Sequence, residues 1–354
     1  MRTTHRGFTL VEILVATAVL SIFMIGMLNL LDTSTRVSQL ESELTDTQEN
    51  VRFAAYHILR TARMLGGANM PFAGQAGSSD VWVAGQLISN PTSPTVAIPG
   101  YTSVSVLPGS DVLTLRGFFE VSPFFTDPQT ALGTGTVTIR EYNAAGQAVN
   151  DLSAFTASAL TGRGVVFMGQ GAYCAGKISG ATVTGSGTDR QLVMSHQQGE
   201  EPWTDLNVGG AVYPPGFQVY RVGVLESYTY YVDSGNVLRR VRLSGGTVLP
   251  EPVAINIGGL QVALGVDADA DGIVAAGEWV DNPPDATSLI NQDVVALRLT
   301  VLGRTRMRVP EWNEPTATFE AEDGSATGLE RGAKWRRMQV VVNLRNYTLR
   351  GDML

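Results

Sequence analysis

Residues 8–31 read FTLVEILVATAVLSIFMIGMLNLL, 24 residues with a single formal charge at Glu12. As a helix this run rises about 36 Å at about 1.5 Å per residue, enough to cross a hydrocarbon core of about 30 Å. No strand pattern and no linker composition fits it. The preceding MRTTHRG carries Arg2 and Arg6 and no acid. A basic flank of that kind stays on the cytoplasmic side, which sends the rest of the chain outward.

A secretory signal has an apolar stretch of about 7–15 residues and then a small-residue cleavage site. The run here is longer, and no such site follows it. Glu12 is the second anomaly. A carboxylate inside an apolar span costs about 2.5–3.5 kcal/mol on insertion scales, so it needs a partner and a reason to be there. An uncleaved anchor with a snorkelling glutamate is the plain alternative.

The string Gly7-Phe8-Thr9-Leu10-Val11-Glu12 resembles the leader of type IV pilins and pseudopilins. The resemblance implies cleavage by a prepilin peptidase between Gly7 and Phe8, on the cytoplasmic face. It also implies N-methylation of Phe8, and Glu12 as the residue that pairs with the amino terminus of a neighbouring subunit during assembly. An ammonium and a carboxylate attract strongly in a low dielectric, and each relieves the other's penalty for being buried unpaired.

The helical pattern continues beyond the span. Val37, Leu40, Leu44, Gln48, Val51, Ala55, Ile58, Ala62 and Leu65 recur every three or four residues as an apolar stripe. Glu41, Glu43, Asp46, Glu49, Arg52 and Arg60 lie between them as a polar face, which also takes His57 as a solvated residue. Gly66-Gly67 supplies a stop. These signals predict one helix over 8–65, with its second half (32–67) laid on a sheet. A coiled-coil stalk is the alternative, but Gln48, Ala55 and Ala62 make a weak seam.

From residue 68 the pattern turns to short alternating runs. Expected strands are Val81–Ala84, Val112–Arg116, Gly135–Arg140, Gly164–Met168, Gln191–Met194, Tyr228–Val232, Val237–Leu243, Leu260–Gly265, Val294–Gly303 and Trp335–Leu344. Asp233-Ser234-Gly235-Asn236 between two of these runs is a hairpin signal. Residues 85–110 and 117–163 are rich in Gly, Ser, Thr, Ala and Pro and read as long loops or irregular strands. No linker divides 68–354. Helices and strands do not alternate, so the expectation is α+β, with a long N-terminal helix packed on an antiparallel sheet domain.

Several short stretches are similar to PilW-type minor pilins, and more distantly to the J-type pseudopilin of type II secretion. They are Gln48–Ala54 with Arg60–Met64, Ser110–Thr114, Leu260–Val262 running to Asp267, Asp293–Arg298 and Val342–Asn346. The resemblance implies an inner-membrane protein before assembly, its globular part periplasmic, and later a place in the pilus at the cell surface. Implied partners are the prepilin peptidase, other minor pilins, the major pilin and a tip adhesin. The implied work is priming of pilus assembly and membership of the tip complex. A J-type pseudopilin, and a surface adhesin that borrows the leader for delivery, remain open beside it. Many pilins carry a C-terminal disulfide; the single Cys174 excludes one here.

Residues 267–278, DADADGIVAAGE, match the twelve-residue calcium loop D-x-[DN]-x-[DN]-G-x5-E. Asp267, Asp269 and Asp271 would give side-chain oxygens, Ile273 a backbone carbonyl and Glu278 both carboxylate oxygens, while Gly272 permits the turn. Hard oxygen donors suit Ca2+ over zinc. Strand-like sequence before the loop and Pro283-Pro284 after it argue against a paired helix–loop–helix sensor, so the expected role is a structural staple. A solvated acidic turn is the alternative.

Catalysis finds little support. The chain has three histidines and one cysteine, and no G-x-S-x-G elbow or full dinucleotide fingerprint. His196 is expected in a loop, and Tyr228, Tyr230 and Tyr231 in the sheet. With 33 acidic and 25 basic side chains the net charge is −8. The only basic cluster is Lys334, Arg336 and Arg337, so a nucleic-acid partner is not expected.

Overall fold

The computed structural model describes residues 9–65, 72–73, 84–98, 103–117, 119, 124–125, 135–143, 145–152, 160–161, 163–169, 172–198, 221–243, 250–281, 294–308, 320–321, 324–325 and 332–344. One helix, α1, spans Leu10–Arg63 without a break. Its main strands are β1 (Gly85–Ile88), β2 (Val112–Gly117), β3 (Gly135–Arg140), β4 (Gly164–Gly169), β5 (Ala172–Thr184), β6 (Gln191–Gln198) and β7 (Arg221–Val224). They continue as β8 (Glu226–Val232), β9 (Val237–Leu243), β10 (Glu251–Ile255), β11 (Ile257–Val266), β12 (Val294–Arg304) and β13 (Trp335–Asn343).

The strands form three principal sheets. The first runs Phe72–Ala73, β1, β2, β8, β9, β10; the second runs Phe124–Phe125, β7, β4, β5, β6, β3; the third runs Trp279–Val280, β11, β12, β13. Pairings among the described strands are antiparallel, except that Phe72–Ala73 lies parallel to β1. The expected long helix on antiparallel β-structure is thus present, with its β-structure divided among several sheets.

The helix has two regimes. From Leu10 to Gln39 every residue is exposed, including Leu14, Phe23, Met27 and Leu30. This part is long and apolar enough to cross a membrane. From Thr47 onward one stripe is buried: Thr47, Val51, Ala54, Ala55, Ile58, Leu59, Thr61 and Ala62. The expected stripe is right at Val51, Ala55, Ile58, Ala62 and Leu65, and wrong at Val37 and Gln48, which are exposed. The stripe begins where sheet begins, and there Thr47 turns inward. Its hydroxyl donates within the helix to the Glu43 carbonyl at 2.7 Å, so its burial leaves no hydroxyl unpaired.

The stripe packs into a core shared by the first and third sheets, against Leu87, Leu113, Leu115 and Tyr230 on one and Leu260, Val262, Leu299 and Val301 on the other. Small side chains let the backbones approach. A Cβ at Gly303 on β12 would overlap the Val51 side chain and crowd Thr47. Ser110 and Asp111 tie the two sheets together. The Asp111 carboxylate accepts from the amides of Asn90 and Val262, each at 2.8 Å, and Ser110 Oγ accepts from the Leu260 amide at 3.0 Å.

Nine of the ten expected strands agree, each end within four residues, and Gly135–Arg140 and Val237–Leu243 agree at both ends. The hairpin forms, with Asn236 at φ 60° and the Asp233 carboxylate accepting from the amides of Gly235 and Val237. Other expectations need correction. Val81–Ala84 is not the strand; β1 begins at Gly85, and Val81–Val83 lie outside the described residues. Residues 85–110 hold short strands at 85–88, 95–96 and 104–105, and residues 117–163 hold one at 124–125 beside the expected 135–140, within the reading of loops or irregular strands. His196 lies in β6, paired with Gly135 and Ile178, not in a loop. β2 and β8 are antiparallel neighbours, yet the whole second sheet is spliced into the connection between them.

Gly303→Leu should force α1 off β12. An overpacked core side chain costs about 1–3 kcal/mol, so the denaturation midpoint of the full chain in detergent should fall, while Gly26→Leu, at a site with open space around it, leaves it unchanged. Equal effects from the two would mean that close approach at Gly303 does not hold the helix.

Candidate functional site

Two groups of carboxylates and one buried polar network stand out. At the helix start, Gly7 and Phe8 lie outside the described residues; Glu12 is in the first turn. Glu12 is not free. Its Oε2 accepts from the Thr9 amide at 2.9 Å and from Thr9 Oγ1 at 3.0 Å, and its own amide donates back to Thr9 Oγ1 at 3.3 Å. This reciprocal pair is a capping box, which satisfies amides that the first helical turn leaves without intrahelical partners. Thr9 is the residue missed by the sequence reading, although the signal was there. Thr9-Leu10-Val11-Glu12 before an apolar run is the T-x-x-E pattern. In an apolar phase the box also gives the carboxylate local donors.

The acidic loop connects β11 to the single turn Ala276–Glu278 and the short strand Trp279–Val280, with no flanking α-helix. Ligand atoms of Asp267, Asp269 and Asp271 lie within 4.8 Å of one another. Gly272 takes φ 81°, in the left-handed region that a tight loop needs, and Ala270 takes φ 59°. Asp267 accepts from the amides of Asp271 at 3.1 Å and Gly272 at 2.9 Å. Asp271 accepts from the Ile273 amide at 2.7 Å. Glu278 stands outside the aspartate cluster: its two oxygens take the amides of Ala268 at 3.1 Å and Ala275 at 2.8 Å, clasping both ends of the loop. Ile273 is exposed. Of the five expected ligands the structure gathers three; Glu278 closes the loop, and Ile273 contributes an amide to it. Val274 anchors the loop by packing over Gly265 of β11. Next to the loop, Arg298 lies 4.4 Å above the Trp279 ring and 3.9 Å from Asp281.

The third group sits where α1 meets the first sheet. Tyr230, fully buried on β8, has its hydroxyl 2.7 Å from Thr61 Oγ1 and 3.2 Å from His57 Nδ1. The expectation of a solvated His57 is therefore corrected. The ring is half-buried between Phe53 and Tyr230, and a protein-facing hydroxyl explains why a polar side chain sits there. Burial lowers the His57 pKa first, and the positive charges of Arg240 and Arg60 lower it further, against a smaller raising effect of Glu251. Tyr228 and Tyr231 are buried in the first sheet, as expected of them.

Residues 2–28 match the prokaryotic N-terminal methylation motif. No curated protein matches the chain. Among solved structures, a type IV-like pilin from Thermus thermophilus is similar over 54% of this chain and 89% of its own, at 17% identity and a TM-score of 0.24. The motif and the apolar helix that carries it fit a membrane-anchored, pilin-like protein. They point to a structural protein.

Thr9→Ala removes the hydroxyl contact to the Glu12 carboxylate and the cap on the Glu12 amide, and leaves the Thr9 backbone amide as the carboxylate's remaining donor. Loss of such a cap should raise hydrogen exchange of amides 10–13 about fivefold in detergent, with Thr9→Ser near wild type. Unchanged exchange in Thr9→Ala would show that the box does not hold this end.

Proposed function

We propose that this chain is a minor type IV pilin of the PilW type. A prepilin peptidase cuts it between Gly7 and Phe8, Phe8 is methylated, and α1 holds the product in the inner membrane with the globular part outside the cytoplasm. From there it joins other minor pilins to prime filament growth and enters the tip complex with the major pilin. The observation that carries this reading is the continuity of the methylation motif at 2–28 with a helix that is apolar and exposed first and docked on sheets afterwards. An exposed apolar half-helix needs lipid or other helices to cover it. Glu12 supplies the electrostatic half of assembly by pairing with a neighbour's amino terminus.

The test is mass spectrometry of filaments sheared from cells. Trace amounts beginning at N-methylated Phe8 are expected, and Glu12→Gln should reach the membrane in normal amount yet drop out of the filament. Processed protein retained in the envelope and absent from filaments would turn the assignment to a J-type pseudopilin. Normal incorporation of Glu12→Gln would remove the docking role.

The loop 267–278 is proposed to bind Ca2+ through Asp267, Asp269 and Asp271, with the Ile273 carbonyl and Glu278 completing the set. Support comes from the convergence of the three aspartates and from φ 81° at Gly272. Bound calcium would tie the end of β11 to Trp279–Val280 in a chain without a disulfide. Affinity is expected near 10⁻⁴–10⁻³ M, the range of extracellular sites. Calcium at about 100 times its dissociation constant should add about 2.7 kcal/mol of stability, read as a higher unfolding midpoint. Asp269→Asn with Asp271→Asn should abolish that gain without lowering stability in chelator. A gain that survives both substitutions would place the ion elsewhere.

A further inference from the structure

The seam between α1 and the first sheet holds one titratable group that pilus assembly does not use. His57 is the member of the Thr61–Tyr230–His57 chain that can change charge near neutral pH. Its surroundings are aromatic and, on balance, cationic. Phe53 lies one turn back on its own helix, with ring centroids 6.0 Å apart, and Tyr230 meets the other side edge-on at 5.7 Å. The charged groups that act on it are Arg60 of the same helix, Arg240 of β9 and Glu251 of β10. Glu251 is engaged in an ion pair with Arg240. The Tyr230 phenol is pushed up by its own burial, so it stays neutral and provides no compensating anion.

We propose that His57 is a proton-operated latch, which holds the last turns of α1 on the first sheet when its ring is neutral and loosens them when both ring nitrogens carry protons. In the neutral state Thr61 Oγ1–H donates to Tyr230 Oη, and Tyr230 O–H donates to His57 Nδ1. On protonation the chain reverses: Nδ1–H donates to Tyr230 Oη, Tyr230 O–H donates to Thr61 Oγ1, and Thr61 O–H turns to the His57 carbonyl, 3.3 Å away. Every hydrogen bond survives, so the cost is electrostatic. A third cation stands beside Arg60 and Arg240 in a half-desolvated seam. The lowered pKa of folded His57 fixes the sign. The unfolded chain takes up the proton first, at an ordinary value near 6.5. The latch is therefore fully engaged above that value, and its contribution falls as pH drops towards the folded-state pKa. Neighbouring residues Ala54, Ala55, Ile58 and Ala62 are the contacts that would loosen.

The readout is hydrogen exchange of residues 51–63 in the full chain in detergent, at about pH 7.5 and about pH 5, corrected for the intrinsic pH dependence of exchange. Wild type should show a severalfold rise in exchange at the acid end. His57→Asn, which keeps a neutral polar atom near the Nδ1 position, should show none. Arg240→Gln should shrink the rise, because removing a cation brings His57 back towards its ordinary pKa. An equal acid response in His57→Asn, or none in wild type, would overturn the latch. Should His57→Asn fail to fold, Arg240→Gln decides alone, and an unchanged acid response there would overturn it too.

Discussion

Close approach of α1 to β12 is the contact on which the other packing relations depend. Ala54, Ala55 and Ala62 on the helix and Gly303 on the strand are all small, so Val51 can sit where a Cβ would otherwise stand. At that distance one stripe of the helix touches the third sheet and the first together, and both contribute to a single core. The stripe therefore works as the shared wall of two sheets. Ser110 and Asp111 then fix the angle between those sheets with hydrogen bonds to the backbone of Leu260 and Val262. A carboxylate held by two backbone amides is a strong, directional junction.

The same constraint explains why the second sheet can be inserted without harm. β2 and β8 pair whether their connection is two residues or a hundred, because closing a longer loop costs only about 0.6 kcal/mol per doubling. The inserted sheet buries its own apolar residues, Ile139, Ile178, Leu192 and Met194 among them. Leu225, the residue between β7 and β8, donates its amide to the Gly164 carbonyl of β4 at 2.9 Å. The helix-bound core keeps its register while the insert supplies extra surface.

Much of this architecture was legible in the sequence, and its gaps have physical causes. A 24-residue apolar run and a three–four stripe identify α1, because both signals are periodic and long. The Asp-Ser-Gly-Asn turn identifies its hairpin through local chemistry. β5 escaped, since Ala172–Thr184 is interrupted by Gly176 and Gly180 and its strand character comes from neighbours on both sides. His57 and Gln48 were assigned by helical phase alone. What decides them is the sheet opposite, where Tyr230 offers His57 a hydroxyl and, among the described residues, no strand covers Gln48. The acidic spacing marks the three aspartates that the structure gathers, but no sequence pattern shows that Glu278 also holds the backbone amides of Ala268 and Ala275. The role of Thr9 hides behind the charge of Glu12: the T-x-x-E spacing that marks the cap lies at the mouth of an apolar run, where the carboxylate reads first as a membrane charge.

Glu12 and the loop aspartates share a property that shapes how either could act. Each carboxylate already accepts hydrogen bonds from its own backbone within a few residues. A neighbour's ammonium at Glu12, or a cation at Asp267, thus meets a partly satisfied anion. The binding free energy is the difference between two sets of contacts, smaller than the attraction of bare charges at the same distance. For Glu12 the capping box lowers the cost of standing in an apolar phase without a partner, which the proposed wait before assembly would require. For the loop, the amides hold its shape in advance, so the proposed cation would need to order few groups. In both places preorganisation trades strength of attraction for readiness, which suits contacts that must form at an encounter and leave the fold intact beforehand.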